Sequence, residues 1–520
     1  MQGRTQKSFY NVITGIFGQM FSFVLSFVIR TVFINTLGEM YLGLDGLYSN
    51  ILSVLSLTEL GLGTAIVIEL YRTVAEKDDE KTKQYLQFYK KAYNCIGGVI
   101  LCAGLIITPF LHLFINDAEA VAELINYKFV FLFYLANVSF SYFCFAYRLS
   151  ILQAHQQEYK SRILTYIFKT GETILQIITL LLFKNIYAYL IIPLALGIVQ
   201  TVVRGILIGK WFPIVREKPD GKLSKDEVKT TAKNVYSVAL YKISGTVINS
   251  TDNIVLSSFI SIVITGLYSN YLIITSSVKT ILEKLFTAFV ASLGNLNVEA
   301  GDNIEKKYSI FKTLSFMNFW AYSFCAVCLF VLFDPFISLW IGDRFIMNMA
   351  TEFMIIFTLL VEGLQETIGT HRAAYGLFYK GRYRPVVSVI LNIGLSILLV
   401  SVMPNEFGVV AVLLGTVLSN LLSSWWFDAY LVHKYAFNMK PYKFYITYWL
   451  RMVYSLFFCV ALRFICSFIP LSGVLNFIVC GLICVVIYNM VFVLLFYKRP
   501  EFEYLKDSVF RILKVKTKKS

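Results

Sequence analysis

Polar and ionisable side chains recur inside long apolar runs of this sequence at three- and four-residue steps. In the first run Asn11, Gly15, Gln19, Ser22, Ser26 and Arg30 fall into register. Around residue 247 Lys242, Thr246, Asn249 and Asn253 do the same, with Asp252 beside them. Thr165, Lys169, Glu172 and Gln176 form a third stripe, and Glu362, Glu366 and Thr370 a fourth, with Gln365 alongside. Such steps place side chains on one face of a helix. A charge at bilayer depth costs about 2.5–3.5 kcal/mol on insertion scales, so it must face a cavity or a partner. Arg30, Lys169 and Lys242, with the amides of Gln19 and Asn249, suit an anionic ligand. The carboxylates of Asp252, Glu362, Glu59 and Glu172 suit uptake of a proton or another cation such as sodium. Both signs are present, so residue types alone do not choose the substrate.

Plainer roles compete for the same residues. Small polar side chains such as Ser22, Ser26, Ser53 and Gly63 let membrane helices pack closely and hydrogen-bond, which is structural glue. Lys169 and Glu172 stand one turn apart and can neutralise each other, as a cavity pair or as a purely structural one. Lys279, Glu283 and Lys284 lie near the end of their run, where snorkelling accounts for them. Four scattered histidines form no ligand spacing. The nine cysteines, among them Cys95, Cys144, Cys459 and Cys480, sit in apolar stretches, as does the Cys325/Cys328 pair, and read as small hydrophobes. No metal site or cofactor is expected. Nor are carboxylates paired for acid–base work, so no catalytic residue is assigned.

The elements that carry these stripes follow from composition. Hydrophobic residues make up 57% of the 520 positions and charged residues 15%. Soluble domains hold about 45–50% apolar and about 25% charged residues, so the chain reads as an all-α polytopic membrane protein. Windows of about 20 apolar residues give about fourteen spans, centred near residues 21, 55, 99, 135, 174, 194, 247, 273, 326, 357, 391, 414, 457 and 485. The net charge of +15 is not one basic patch, as nucleic-acid binding would need. With both termini placed in the cytoplasm, about 36 of the 47 basic residues fall in cytoplasmic connections and about three outside. That bias indicates a multi-pass protein of the cytoplasmic membrane. The basic, aromatic-interleaved segments Lys77–Lys91 and Lys498–Lys519 suit anionic lipid headgroups. No cleavable signal peptide is expected at the N-terminus.

An internal repeat organises the spans. Gly46-Leu-Tyr-Ser-Asn50 recurs identically as Gly266-Leu-Tyr-Ser-Asn270, 220 residues later. Both copies open the second span of a six-span half, and both halves start from the cytoplasmic side. Parallel repeats related by a pseudo-twofold along the membrane normal are a transporter architecture. The expected organisation is a six-helix bundle over 1–210, a basic connection over 211–232 and a second six-helix bundle over 233–436. Two extra helices over 437–498 and a basic tail over 499–520 complete it. The offset pairs Ser22 with Lys242, Arg30 with Ser250, and Glu59 with Lys279.

The stretches Arg30–Gly38, Tyr41–Asn50 and Leu57–Ala65 together resemble the opening of bacterial polysaccharide-transporter and O-antigen flippases, of the multidrug/oligosaccharidyl-lipid/polysaccharide (MOP) exporter superfamily. Further similar segments are Gly266–Asn270, Asn318–Trp320, Pro335–Gly342, Arg372–Phe378 and Tyr383–Pro385, in the same order along nearly the whole chain. The resemblance implies two bundles in a V with two added helices, moving undecaprenyl-diphosphate-linked oligosaccharide units between leaflets by alternating access. It places Arg30 as the first-span arginine of that pattern, while Asp45 stands where the pattern more often has asparagine. Two other functions are weighed against it. A multidrug or cation antiporter of the same superfamily would want a net acidic lumen. A membrane polysaccharide polymerase or glycosyltransferase would want a sizeable outer loop, and the longest here, Asp334–Asn348, is about 15 residues.

Overall fold

The structure, a computed structural model, describes residues 2–56, 62–143, 145–287, 289–290, 293 and 303–506. Glu59, one of the expected ion-coupling residues, and the tail over 507–520 lie outside the described residues. No strand occurs among the described residues, and nineteen α-helices account for nearly all of them.

The chain divides into two compact units, Met1–Ser269 and Asn270–Ser520. The first holds α1 (Gln2–Leu37), α2 (Glu39–Leu55), α3 (Leu62–Glu76), α4 (Asp79–Ile107), α5 (Ala118–Leu124), α6 (Tyr127–Phe143), α7 (Leu149–Ala154), α8 (Glu158–Phe183), α9 (Ile186–Trp211) and α10 (Lys225–Phe259). The helix α11 (Ile262–Thr287) runs from the first unit into the second. The second continues with α12 (Ile304–Trp340), α13 (Met349–Gly363), α14 (Glu366–Ala374), α15 (Arg384–Val402), α16 (Gly408–Asn420), α17 (Trp426–Ala436), α18 (Tyr442–Ser467) and α19 (Gly473–Phe496).

Every expected span centre falls in a helix. Among the described residues, ten helices are long and apolar enough to cross a membrane on their own, and α5 with α6 forms a further pair bent by 84°. What separates these from the fourteen expected spans is polarity and length. The helices α10 and α11 are long, but they carry Lys242, Asn249, Asp252 and Asn253, and Asn270, Lys279 and Glu283. The helix α2 is 17 residues long, slightly short of a full crossing. Of the four polar stripes only that of α10 lies on a helix that misses the apolar criterion; those of α1, α8 and the Met349–Ala374 span lie on helices that meet it.

The helix order repeats. Glu39 and Ile262, Asp79 and Ile304, Tyr127 and Met349, Glu158 and Arg384, and Ile186 and Gly408 open corresponding helices. Their spacing stays close to the 220 residues between the two Gly-Leu-Tyr-Ser-Asn copies.

Local sequence sets the helix starts. Asp78, Asn185, Asn303 and Asn348 accept backbone N–H bonds at the starts of α4, α9, α12 and α13, and Ser224 with Glu227 forms a capping box at α10. Each such cap contributes about 1 kcal/mol and stops the helix where the connection must turn. The basic connection after α9 is latched to the start of α4: Glu80 accepts from the backbone N–H of Asp220 at 2.7 Å, and Lys81 pairs with Glu227 at 3.2 Å. The Glu227 carboxyl is held below the usual range by the backbone N–H and hydroxyl of Ser224, with Lys81 adding to it.

Glycines set two of the closest helix approaches. A Cβ at Gly18 of α1 would lie 1.9 Å from the Tyr166 ring of α8. One at Gly43 of α2 would lie 1.9 Å from the Ile262 carbonyl oxygen, and one at Gly266 would lie 2.5 Å from that of Glu39. The starts of α2 and α11 therefore cross backbone to backbone. At the same level Asn116 donates its amide to the Ile260 carbonyl at 3.0 Å and its backbone N–H to the Ser257 carbonyl at 2.9 Å.

Candidate substrate and ion sites

In the first unit the polar groups gather around Arg30. The Phe17–Leu37 part of α1 is the apolar segment, and Arg30 stands seven residues before its end, about 10 Å in at 1.5 Å per residue. It is half-buried and donates from Nη2 to the Ser269 hydroxyl at 2.5 Å. Asp45 of α2 and Tyr189 of α9 lie within electrostatic range of the guanidinium. Asp45 in turn accepts from the Tyr134 hydroxyl at 2.7 Å. Ser269 belongs to the second copy of the repeat motif, so its hydroxyl meets a residue of the first span, which the sequence pattern did not indicate.

The third stripe joins this cluster. Lys169 donates to Glu172 at 2.7 Å, and both Glu172 and the buried Gln176 reach Tyr189. One turn before them Thr165 accepts from Gln200 of α9 at 3.1 Å. Lys169 and Glu172 thus neutralise each other, as their spacing allows, on the helix packed against α1. Ser22 and Ser26 bond the carbonyls of Gly18 and Ser22 in their own helix, the behaviour of packing residues. Gln19 is half-buried, three turns before Arg30 on α1.

The α10 stripe is divided by its environment. Lys242 and Asn249 are exposed on α10, whereas Asp252 and Asn253 are buried. The Asn253 carbonyl oxygen is buried without a hydrogen-bond partner among the described residues.

In the second unit Glu362 receives the Lys279 ammonium at 2.6 Å, with Glu283 3.9 Å from the same nitrogen and Glu366 within electrostatic range. Here the structure corrects the sequence reading. Lys279 does not snorkel; it ends on a carboxylate from another helix, because a pair at this depth costs less than an isolated charge. Glu362 also sits at a break in its span, where α13 stops at Gly363 and α14 resumes at Glu366. The carbonyls loosened there are used: Asn318 donates to the Gly363 carbonyl at 2.9 Å and Tyr448 to that of Val361 at 3.0 Å. Gln365 bridges Val361 to the Asn420 side chain. Asn420 in turn precedes a five-residue π-helical turn, Leu421–Trp425, a distortion often found at functional sites.

Two charge networks were not singled out from sequence. The buried Asp428 accepts from both Arg372 and Arg384, the latter at 2.6 Å. Arg463 of α18 binds Asp334 at 2.5 Å and the fully buried Glu352 at 2.7 Å, and Tyr271 donates to Glu352 at 3.1 Å. The sequence signal was there: Glu352, Asp428 and Arg463 each stand in an apolar run with no opposite charge three or four residues away. No group of three or more His, Cys, Asp or Glu side chains able to hold a metal occurs among the described residues.

These features define a class: a multi-pass helical membrane protein whose two halves repeat the same helix order. Its fold is that of MOP superfamily transporters. The chain is similar to a lipid II flippase, MurJ, in an inward closed conformation, at 15% identity and a TM-score of 0.62, over 93% of this chain and 99% of that one. It is similar to an inward-facing multidrug resistance MATE transporter of the MOP superfamily at 14% identity and a TM-score of 0.61, over 77% and 92%. A MATE transporter of Vibrio cholerae follows at 14% identity and 0.53, over 85% and 100%. No curated protein matches the chain by sequence. A family model described as "Polysaccharide biosynthesis protein" matches residues 8–290. The chain belongs to this polysaccharide biosynthesis protein family.

Proposed function

We propose that this protein is a flippase that moves undecaprenyl-diphosphate-linked oligosaccharide units across the bacterial cytoplasmic membrane for capsule, exopolysaccharide or O-antigen synthesis. The observation that carries the reading is the position of Arg30. A guanidinium about 10 Å inside the apolar part of the first span bonds a neutral hydroxyl beside a carboxylate. A diphosphate oxygen is a stronger acceptor for a guanidinium than a serine hydroxyl, since it carries formal negative charge and can accept two parallel N–H bonds. Arg30 can therefore exchange Ser269 for the anionic head of a lipid-linked substrate. Ser269 lies on α11, so the exchange loosens a contact between α1 and α11 and couples substrate arrival to movement of those helices. Lys242, exposed on α10, extends basic charge along the path, and Lys169, Asn249 and Gln19 supply further polar contacts.

For coupling, Asp252 is the acid we favour: it is buried beside the stripe of α10, where a proton or sodium ion could enter with the substrate's exit. Glu362 and Glu172 are held by lysines at 2.6 and 2.7 Å. The same pairing weighs against the cation-antiporter reading, which asks for acids open to a cationic drug. Both termini are placed in the cytoplasm, on the charge asymmetry of the connections. The test is surface polymer in a strain lacking its own polysaccharide flippase. Restoration by this protein, and its loss in an Arg30→Ala/Lys242→Ala double variant that inserts normally, is expected. Polymer export that persists in the double variant rejects the assignment of these residues.

A further inference from the structure

The second unit contains a cavity of about 470 Å³ that the transport reading does not use. It lies where α12 begins, α18 begins and α19 ends, so all three helices bring the same end to it. Its walls are two helical stripes: Lys312, Ser315 and Phe319 on α12, and Lys443, Arg451 and Tyr454 on α18. Arg499, just past α19, is a fourth cation, and Glu501 is the one carboxylate on the wall.

Several observations point to an anionic occupant. Among the described residues none of the four cations forms an ion pair. Arg451, half-buried, donates only to the Ser315 carbonyl at 2.9 Å and hydroxyl at 2.6 Å, and its guanidinium lies 5.2 Å from the Phe319 ring centroid. The Tyr454 hydroxyl is buried with no hydrogen-bond partner among the described residues. Lys443 stands in the first turn of α18 and Arg451 eight residues further, about 12 Å deeper at 1.5 Å per residue. That depth exceeds one interfacial layer of a bilayer, roughly 6 Å on each side. The cations therefore form a ladder from the membrane surface into the upper acyl region. Below the surface cations Lys443 and Arg499 the rim is apolar, with Leu450 exposed and Phe496 half-exposed. A soluble anion would meet a polar rim, whereas a lipid would lay its chains along this one.

We propose that this cavity holds the phosphate headgroup of an anionic phospholipid from the surrounding leaflet. Lys443 and Arg499 would meet the phosphate at the surface, and Arg451 and Tyr454 the glycerol-ester region beneath it. The bound lipid would cement the added helices α18 and α19 to α12. The site is independent of the Arg30 cluster.

Native mass spectrometry of the full-length protein, delipidated and then supplied with phosphatidylglycerol or phosphatidylcholine, tests this. Phosphatidylglycerol is expected to be retained preferentially and to raise the melting temperature, and Lys443→Gln or Arg499→Gln each to lower its occupancy about fivefold. Arg451→Gln is expected to lower it at least as much. Because Arg451 also holds Ser315, Arg499→Gln keeps the test decisive: its side chain makes no bond among the described residues. Equal retention of the two lipids, or unchanged occupancy in Arg499→Gln and Lys443→Gln, would overturn the proposal. So would inorganic phosphate or glycerol phosphate raising the melting temperature as much as phosphatidylglycerol, since the source would then be a soluble anion.

Discussion

Replacing Arg30 separates a binding role from a packing role, because its neighbours predict changes of opposite sign. Arg30 gives one bond to Ser269 at 2.5 Å and stands beside Asp45. Arg30→Ala removes a charge-assisted contact to a diphosphate, about 1.5–3 kcal/mol, so the affinity for undecaprenyl diphosphate should fall about 10- to 150-fold. Ser269→Ala removes the competing acceptor, a bond from the charged guanidinium of about 1.5 kcal/mol, and should raise affinity about tenfold. Asp45→Asn leaves an acceptor for Tyr134 but removes the negative charge beside Arg30, so it too should raise affinity and should be tolerated in transport. The assay is binding of undecaprenyl diphosphate to protein in nanodiscs, paired with surface polymer in the flippase-deficient strain. If Arg30 acts only in packing, all three variants lower stability and none moves affinity in the direction given. An Arg30→Ala protein with unchanged affinity and wild-type polymer at equal membrane expression refutes the reasoning.

Three other perturbations have definite outcomes. Gly43→Ala drives a methyl group against the Ile262 carbonyl, an overpacking cost of about 1–3 kcal/mol that loosens the local contact of α2 with the start of α11; the maleimide reactivity of a Ser269→Cys reporter should rise, and no change would mean that the contact absorbs the methyl group. Arg463→Met leaves the buried Glu352 without its cation, which should cost about 3–5 kcal/mol of stability in thermal unfolding, partly recovered by adding Glu352→Gln; a loss below about 1 kcal/mol would show that the network is not structural. The Glu227 carboxyl is held low by Ser224 and Lys81, so its contribution is fully present above the ordinary glutamate range and is lost as pH falls below that range through the lowered value. Protection against hydrogen exchange over 217–227, relative to the intrinsic rate at each pH, should therefore fall below about pH 4 in wild type, whereas Glu227→Gln should be weakly protected at every pH.

How much was legible before the fold can be judged residue by residue. Lys169 and Glu172 were readable as a pair because one helical turn guarantees their proximity. Ser22 and Ser26 of α1 were readable as packing residues, and their hydroxyls bond carbonyls of their own helix. Glu362 was readable as a membrane carboxylate, but not its neutralisation by Lys279, which lies 83 residues away in sequence. Asp428 with Arg372 and Arg384, and Arg463 with Glu352, were missed for the same reason. Each partner is supplied by a different helix, and periodicity along one helix carries no information about the next.

What the sequence by itself determined is therefore the part of the physics that is local or one-dimensional. Hydrophobic runs of bilayer length dictate helices and their approximate number, because only a helix satisfies its backbone hydrogen bonds in lipid within one such run, whereas barrel strands are half as long and alternate in polarity. The repeated motif dictates that the helix order recurs. Tertiary structure alone decided which charges meet. A carboxylate or guanidinium in an apolar run must find an opposite charge, a dipole or water, but which one depends on helix neighbours and rotation. It brought Arg30 to Ser269 and Asp45, closed Glu362 with Lys279, and left the cations around Arg451 facing a cavity. Those placements separate residues available to a substrate from residues that hold the fold together.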